Sequence, residues 1–308
     1  MTDTVTRTSI AILVCTCDRP ELLRRLLGAL AREVKDSDCL TLAVVVIDNG
    51  AIPVRHIAEQ FGHVLPVKYR RLERSGLVVA RNASLGVALA HKPEFLVFID
   101  DDEVPMHGWL GNLVAAAVTG QLDIATGPVV PDFAAPPPDW AIDFFRKSGS
   151  TYCTSNLILR TSMLLPGEEN WFNPAFNLTG GEDNEFLNRL ARQGAVHGIA
   201  GNAIVSETIP GGRLTLGFVL RHGLRDGVVV AQKVMIGKEG PAKKMLLCLG
   251  KAAQKAGFGL NHLFWSLTDP ARFYRAADDF AACGGILSRL AGVPFAFYGT
   301  AGKRREFI

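Results

Sequence analysis

The chain has 308 residues, of which 48% are hydrophobic and 20% charged; this excludes a disordered chain and predicts one large globular domain, alone or with an extension. Its six cysteines show no CxxC pair and no secreted disulfide spacing, and its first residues contain no signal-peptide core, so we expect a reducing cytoplasm. Charge is uneven, with a net of −6 over residues 1–212 and +9 over residues 213–308, and the basic third predicts an anionic partner.

The first elements alternate between strands and helices. Residues 9–17 and 40–47 are apolar throughout, and residues 21–31 between them carry leucines at helical spacing. Strands that are apolar on both faces are typical of a parallel sheet covered by helices on both sides. The same patterns predict helices over 53–63 and 108–118 and from Leu77, and strands over 67–71, 95–99, 122–130, 152–160 and 197–206.

Four acids, Asp100, Asp101, Asp102 and Glu103, directly follow the predicted strand 95–99. Adjacent carboxylates repel one another and cannot be buried unpaired, so we expect them at the carboxyl edge of the sheet, where open α/β sheets bind ligands. A hard divalent cation with oxygen ligands, Mg²⁺ or Mn²⁺, would neutralise them and hold a phosphate-bearing substrate. The alternative is a solvated acidic turn.

Two other polar features have two interpretations each. Asp48 ends the second strand before Asn49-Gly50; it either forms a turn or accepts hydrogen bonds from a nucleobase or ribose. Arg81 and Asn82 lie in an otherwise apolar helix; they either support the acidic loop through charge-assisted hydrogen bonds or are exposed.

A second acidic group follows two glycines. Gly180 and Gly181 lead into Glu182 and Asp183 at the start of a predicted helix. These acids either cap the helix and compensate its dipole or include a general base on a tight turn.

The segment after the last predicted strand, residues 213–235, carries several cations, among them Arg213, Arg221 and Arg225. They would either clamp a diphosphate or lie on a solvated helix face. Because the basic third lacks a stacking aromatic pattern, we expect no nucleic acid.

Residues 242–265 and 280–298 are apolar but interrupted by basic side chains. Charges at this density argue against a transmembrane span. They favour a basic amphipathic pair lying on an anionic leaflet; packing helices or a partner interface are the alternatives.

In this order, the motifs resemble the family 2 inverting glycosyltransferases with the GT-A fold, over roughly residues 9–230. VVVIDNGA matches their nucleotide-recognition loop, SGLVVARNASLG their Gly-Leu…Ala-Arg-Asn segment, FIDDDE their metal-binding DxD region and GGEDNEF their acidic catalytic motif. Within the family the chain looks most like bacterial glucosyltransferases of exopolysaccharide assembly, of the succinoglycan type, which extend a lipid-linked oligosaccharide.

The resemblance implies an α/β GT-A domain over residues 1–235, Rossmann-like with a mostly parallel central sheet flanked by helices, and a helical extension over residues 236–308. It implies inverting transfer from a nucleotide-sugar donor, with a UDP-sugar expected, to a saccharide or lipid-linked saccharide acceptor. The expected location is the cytoplasm, at the inner face of the cell membrane.

The resemblance also implies residue roles. Asp48 would contact the uracil, Asp100 would lie near the ribose and the metal, and Asp102 would bind Mg²⁺ or Mn²⁺. Asp183 would be the general base and Glu182 its neighbour in acceptor binding, although the two could exchange roles. Further donor contacts are expected from Thr16, Asp18, Arg81, Asp101, Arg221 and Arg225.

One departure concerns the metal. Many family members place a His after the last strand as a ligand, whereas this chain has Ser206-Glu207 there. Metal binding would then depend on Asp102, the diphosphate and water, with Glu207 a possible substitute.

Two rival functions stay open. A sugar-1-phosphate nucleotidyltransferase would normally show a Gly-rich phosphate loop near the first strand, and residues 16–19 lack the glycines; pyrophosphate release would identify it. A non-catalytic nucleotide-binding membrane adaptor would tolerate loss of both acidic motifs.

Overall fold

A computed structural model describes residues 8–35, 40–73, 76–146, 153–165 and 167–298. Its strands are β1 Thr8–Thr16, β2 Leu40–Asp48, β3 Val67–Arg71, β4 Phe95–Phe98, β5 Glu103–Pro105, β6 Ile124–Thr126, β7 Val129–Phe133, β8 Leu157–Arg160, β9 His197–Ile199 and β10 Val205–Ile209. Its α-helices are α1 Pro20–Lys35, α2 Arg55–Phe61, α3 Leu77–Leu89, α4 Trp109–Thr119, α5 Asp139–Phe145, α6 Glu182–Arg192, α7 Leu216–Ile236, α8 Pro241–Trp265 and α9 Ala271–Leu290.

Seven strands form the central sheet in the order β3-β2-β1-β4-β8-β6-β9, and β5, β10 and β7 form a smaller sheet. Among the strands that the structure describes in the central sheet, only β8 runs antiparallel to its neighbours. The mostly parallel α/β architecture is therefore confirmed. The carboxyl ends of β1, β2 and β4 meet at one edge, where such sheets bind ligands.

Helices cover both faces of the central sheet, as its apolar strands predict. Along β1, Ile10 and Ile12 lie in one buried cluster with leucines of α1 and α4. Ala11 and Leu13 lie in a second cluster on the opposite face, with residues of α3 and α6. Because side chains alternate across a strand, a continuous apolar run fills both layers of the core.

Two predicted strands are wrong as single elements: 122–130 divides into β6 and β7, and 197–206 into β9 and β10. Pro128 has no N–H to continue the ladder. A Cβ on Gly127 would lie 2.0 Å from the Ala203 carbonyl oxygen, so a larger residue at this position would clash with the neighbouring backbone. Both segments leave the central sheet at this point and pair in the smaller one.

Helices α7 and α9 pack closely together. A Cβ on Gly227 of α7 would lie 1.9 Å from the Ala282 carbonyl oxygen of α9, and one on Gly285 of α9 would lie 2.2 Å from the Leu224 carbonyl oxygen of α7; the two backbones are therefore in contact. Within the described ranges, no helix is both long and apolar enough to cross a membrane.

The helical extension differs from its prediction in one respect. The second predicted segment, 280–298, is only partly helical: α9 begins earlier, at Ala271, and ends at Leu290. The predicted domain boundary after residue 235 lies one residue before the end of α7 at Ile236 and stays a prediction.

Candidate active site

The acidic loop joins β4 to β5 in a tight turn, at the carboxyl end of β4 as predicted. The Glu103 N–H donates to the Asp100 carbonyl (3.1 Å), and the Glu103 carboxylate accepts from the Asp100 N–H (3.0 Å). Glu103 is fully buried and also accepts a hydrogen bond from the Ser155 hydroxyl. Glu103 therefore shapes the turn and does not face a ligand.

Asp101 points into the protein. Its carboxylate accepts hydrogen bonds from Thr16 Oγ1 (2.8 Å) and from Arg19 Nη1 (3.0 Å). Thr16 and Asp101 are both buried, so two predicted donor contacts instead join the acidic loop to the end of β1. A direct donor contact by either stays a prediction.

Asp100 and Asp102 are the two acids of the predicted DxD motif. The Asp100 side chain is 45% exposed, and Asp102 lies 3.2 Å from Arg19 Nη1. Burial raises the pKa of Asp102 to about 7, and the charges of Asp100, Asp101 and Glu207 add to that rise. Burial and three neighbouring carboxylates therefore make the charged form of Asp102 costly even with Arg19 beside it.

Arg213, which follows β10, lies beside Asp102. Its Nη2 is 3.6 Å from Asp102 Oδ2, and its Nη1 donates to Glu207 Oε1 (3.0 Å). The antiparallel pairing of β10 with β5 sets Glu207 opposite Glu103. Glu207, the suggested substitute ligand, is therefore ion-paired with Arg213.

The glycine pair sets the second acidic group at the start of α6. Gly180 and Gly181 have φ of +77° and +82°, which glycine adopts without strain. A Cβ on Gly181 would also lie 2.2 Å from Val229 Cγ1 of α7. Glu182 is 1% exposed, whereas Asp183 is half-buried. Of the two acids, Asp183 is the one that a substrate can reach in this conformation.

Arg81, near the start of α3, lies between the two acidic groups. Its Nη1 donates to Glu182 Oε1 (2.6 Å), and its Nη2 is 3.8 Å from Asp100 Oδ1. Its guanidinium also lies over the Phe172 ring, 5.7 Å from the centroid. Burial raises the pKa of Glu182 to about 7 although Arg81 opposes the rise, and Asp183 adds to it. One side chain thus joins the acidic loop to the start of α6 in a single site.

Asn82 has a different role from the one predicted. Its side chain exchanges two hydrogen bonds with the backbone of Phe172, each 2.9 Å long. It therefore holds the loop before the glycine pair, and the interpretation that it supports the acidic loop is corrected to this one.

Of the two interpretations of Asp48, the structure supports the turn-forming one. Its carboxylate is fully buried and accepts hydrogen bonds from the N–H groups of Gly50 (2.9 Å) and Val54 (3.1 Å) and from the Tyr69 hydroxyl (2.5 Å). These donors fix the loop after β2. A contact between Asp48 and uracil stays a prediction.

The loops after β1 and β2 pack against each other and against the start of α3. Asp18 accepts a hydrogen bond from the Ile52 N–H (3.0 Å), and a Cβ on Gly50 would lie 2.5 Å from Asp18 Oδ1. The Asn49 side chain exchanges two hydrogen bonds with the Gly76 backbone (3.2 Å each). Asp18 therefore shapes this wall of the site; its donor contact stays a prediction.

The two predicted α7 cations lie in different places. Arg221 is exposed. Arg225 Nη1 is 3.5 Å from the Tyr298 hydroxyl, and Arg225 Nη2 is 3.2 Å from Asp226. Burial lowers the pKa of Arg225, but the nearby Tyr298 phenol and the carboxylates of Asp226 and Asp183 outweigh burial and raise it. Arg225 thus lies on the Asp183 side of the site.

Arg19 and Tyr298 were not predicted at this site, and Arg213 was named only as one of several cations. The position of Arg19 just after β1, at the ligand-binding edge, is a signal that could have indicated it. Tyr298 follows α9 and reaches the site only through tertiary packing, so no local pattern indicates it.

Comparison with known proteins places this architecture in a family. The chain matches the family model described as Glycosyl transferase family 2 over residues 11–179, which include the acidic loop and Arg81. Over 300 residues it is 28% identical to the succinoglycan biosynthesis protein ExoM of Rhizobium meliloti (strain 1021), covering 92% of this chain and 93% of that protein.

Two solved structures share the fold. TarS 1–349 of S. aureus in complex with UDP-GlcNAc has a TM-score of 0.53 at 16% identity, over 92% of each chain. The mannosyltransferase PcManGT from Pyrobaculum calidifontis, in complex with GDP-Man and Mn²⁺, has a TM-score of 0.57 at 16% identity, over 90% of this chain and 86% of that one. With more than half of its length matched by the family model and this architecture around its acidic residues, the chain belongs to glycosyl transferase family 2 and has the GT-A fold.

Proposed function

We propose that this protein is an inverting hexosyltransferase. It moves a sugar from a nucleotide-sugar donor, for which we expect a UDP-sugar, to an acceptor hydroxyl. The acceptor is a saccharide or lipid-linked saccharide in exopolysaccharide or cell-surface glycan synthesis. The observation that carries the proposal is the Arg81 bridge, the contacts of Arg81 with Asp100 in the acidic loop and with Glu182 at the start of α6. It holds an acidic group suited to a cation beside one suited to a base. The donors bound to TarS and PcManGT and the name of ExoM support the donor class and the glycan.

Asp183 is the proposed general base. Glu182 is buried with one oxygen bonded to Arg81, so it is poorly placed to receive a proton from a substrate. Asp183 takes the proton of the acceptor hydroxyl as that oxygen attacks the anomeric carbon. The bond from the anomeric carbon to the diphosphate breaks on the opposite face, so one displacement inverts the configuration.

Asp100 and Asp102 fit a divalent cation. Carboxylate oxygens are the hard ligands that Mg²⁺ and Mn²⁺ take, and the Asp100 side chain is 45% exposed at the edge where a ligand would bind. Within the part of the chain that the structure describes, no three His, Cys, Asp or Glu side chains form a metal-binding group; diphosphate and water would supply the other ligands. Mg²⁺ or Mn²⁺ bound there would neutralise the leaving nucleoside diphosphate.

Calorimetric titration with a panel of UDP- and GDP-sugars in Mn²⁺, followed by transfer to octyl glycosides, tests this function. We expect one UDP-sugar to bind, UDP to be released and the product to carry the inverted anomeric configuration. Asp102→Asn should weaken donor binding about tenfold or more, since it removes a charge-assisted contact. Asp132→Asn, which changes an exposed acid of β7, is the control.

The rivals give different results in the same assays. Pyrophosphate release from UTP and a sugar 1-phosphate would identify a nucleotidyltransferase. Donor binding without turnover, unchanged after loss of both acidic groups, would identify an adaptor.

α8 carries an exposed apolar stripe. Side chains at helical spacing along one face are between 44% and 69% exposed: Leu246, Leu249, Leu260 and Phe264. Lys243 and Lys251 are exposed on the same helix. Apolar side chains flanked by lysines suit the surface of an anionic bilayer. We therefore propose that α8 docks this protein on the cytoplasmic leaflet, where a lipid-linked acceptor would lie.

Co-sedimentation with vesicles tests this docking. We expect binding to phosphatidylglycerol-containing vesicles, weaker binding to neutral phosphatidylcholine vesicles, and loss of binding in a Leu246→Ser/Phe264→Ser variant. Ile199→Ser, which removes an equally exposed apolar side chain from β9, should bind as the unchanged protein does. If the stripe instead joins two copies, the double variant changes the sedimentation coefficient and the vesicles bind none of the proteins.

A further inference from the structure

The chain returns to the glycine pair after α9. The N–H groups of Phe297 and Tyr298 both donate to the Leu178 carbonyl, at 2.8 and 3.1 Å. A Cβ on Gly180 would lie 2.7 Å from Tyr298 Cε2, so the tyrosine ring covers this glycine directly. Residues 294–298 therefore act as a strap over the turn that carries Asp183.

The strap brings a phenol to the Asp183 side of the site. Arg225 Nη1 is 3.5 Å from the Tyr298 hydroxyl. Burial raises the pKa of Tyr298 and the charge of Glu182 adds to the rise, although Arg225 opposes it. The phenol is therefore neutral at physiological pH, and its proton is available to a neighbouring acceptor oxygen.

The charged groups around Tyr298 and Arg225 lie near Asp183, the proposed base, and not in the acidic loop. Asp226 and Asp183 are the carboxylates that act on Arg225. The acidic loop carries its own cations, since Arg19 and Arg213 lie beside Asp102. Arg225, expected from the resemblance to face the donor diphosphate, is thus on the other side of the Arg81 bridge.

We propose that Tyr298 is a positioning residue for the acceptor. The strap holds the Gly180–Gly181 turn in place, and the Tyr298–Arg225 pair lines the acceptor side, so that the incoming hydroxyl is aligned with Asp183. This inference rests on the proposed glycosyl transfer, but the strap itself is a property of the fold.

Kinetics of Tyr298→Phe and Tyr298→Ala separate the hydroxyl from the ring. With octyl β-glucoside as acceptor, Tyr298→Phe should raise the acceptor KM about three- to tenfold, as expected for one lost hydrogen bond, and leave the donor Kd unchanged. Tyr298→Ala should in addition lower kcat, because the ring over Gly180 is lost. Tyr274→Phe removes the hydroxyl of a tyrosine that stacks on Trp140, 4.2 Å between centroids, and should change neither constant.

Hydrogen exchange of the amides in residues 178–184 tests the strap without any substrate. Tyr298→Ala should speed their exchange, whereas Tyr298→Phe and Tyr274→Phe should not. Unchanged exchange in Tyr298→Ala overturns the strap even if the protein transfers no sugar. A weakened donor Kd with an unchanged acceptor KM in Tyr298→Phe overturns the acceptor-side assignment while the proposed function stands.

Discussion

Replacing Asp183 with asparagine is expected to lower kcat by about 10²- to 10⁴-fold, the range that a general base contributes. The amide cannot take the proton of the acceptor hydroxyl. The structure should be retained, because Asp183 Oδ1 accepts a hydrogen bond from the Asn184 N–H (2.6 Å) and an asparagine oxygen can accept the same bond. Steady-state transfer rates and donor titration on the same preparation measure both effects.

Donor affinity is the control within that experiment. Asp183 belongs to the group at the start of α6, and the proposed cation and diphosphate ligands belong to the acidic loop, so the donor Kd should stay within about twofold, well below the effect of a lost hydrogen bond to a charged group. Asp139→Asn changes an aspartate in the first turn of α5 and should transfer sugar normally. Normal turnover by Asp183→Asn would show that the assigned base is wrong.

Replacing Arg81 with methionine should have the largest effect on stability. It leaves Glu182 buried at 1% exposure without its ion-pair partner, and removing one partner of a buried pair costs about 3–5 kcal/mol. Urea unfolding at pH 7 measures the loss. Arg25→Met breaks an exposed pair with Asp132 and should cost less than about 1 kcal/mol.

The pH dependence of the free energy of unfolding tests whether the buried Glu182 carboxyl causes this loss. The pKa of Glu182 in the folded protein is raised to about 7 from an ordinary value of 4.5, so the folded state binds the proton more tightly than the unfolded state. The stability from this carboxyl is fully present below pH 4.5 and is lost as pH rises through 7. Glu182→Gln should flatten this decline, and the Arg81→Met/Glu182→Gln pair should recover much of the stability lost in Arg81→Met. No recovery would mean that Arg81 stabilises the fold through other contacts, such as the Phe172 ring.

Much of the site could be predicted because it lies where strands end. The apolar run of β4 stops at Asp100, and the two glycines before Glu182 require a turn, so both acidic groups follow from local pattern. Their meeting was expected from the family resemblance and not from the strands, since no strand ends at Glu182, which begins α6 after a loop. Pro128, which ends the ladder after β6, was a readable signal that the prediction of one strand over 122–130 missed.

The division of labour among the acids could not be predicted in the same way. Asp101 and Glu103 turn inward because Thr16 and Ser155 are there to donate to them, and those partners are 85 and 52 residues away in the chain. Arg213 was as plausible a site residue as Arg221 in the sequence. In the structure, a short turn before α7 directs Arg213 to Asp102. This contact depends on the pairing of β10 with β5, which the sequence does not show.

A structure of this protein with UDP and Mn²⁺ bound tests the central claim most directly. We predict that the diphosphate and the ion lie against Asp100 and Asp102, with an open path from there to Asp183 past Arg81. A nucleotide bound elsewhere, or one bound at the acidic loop with Asp183 walled off from it, would contradict the assignment of one shared site for donor and base.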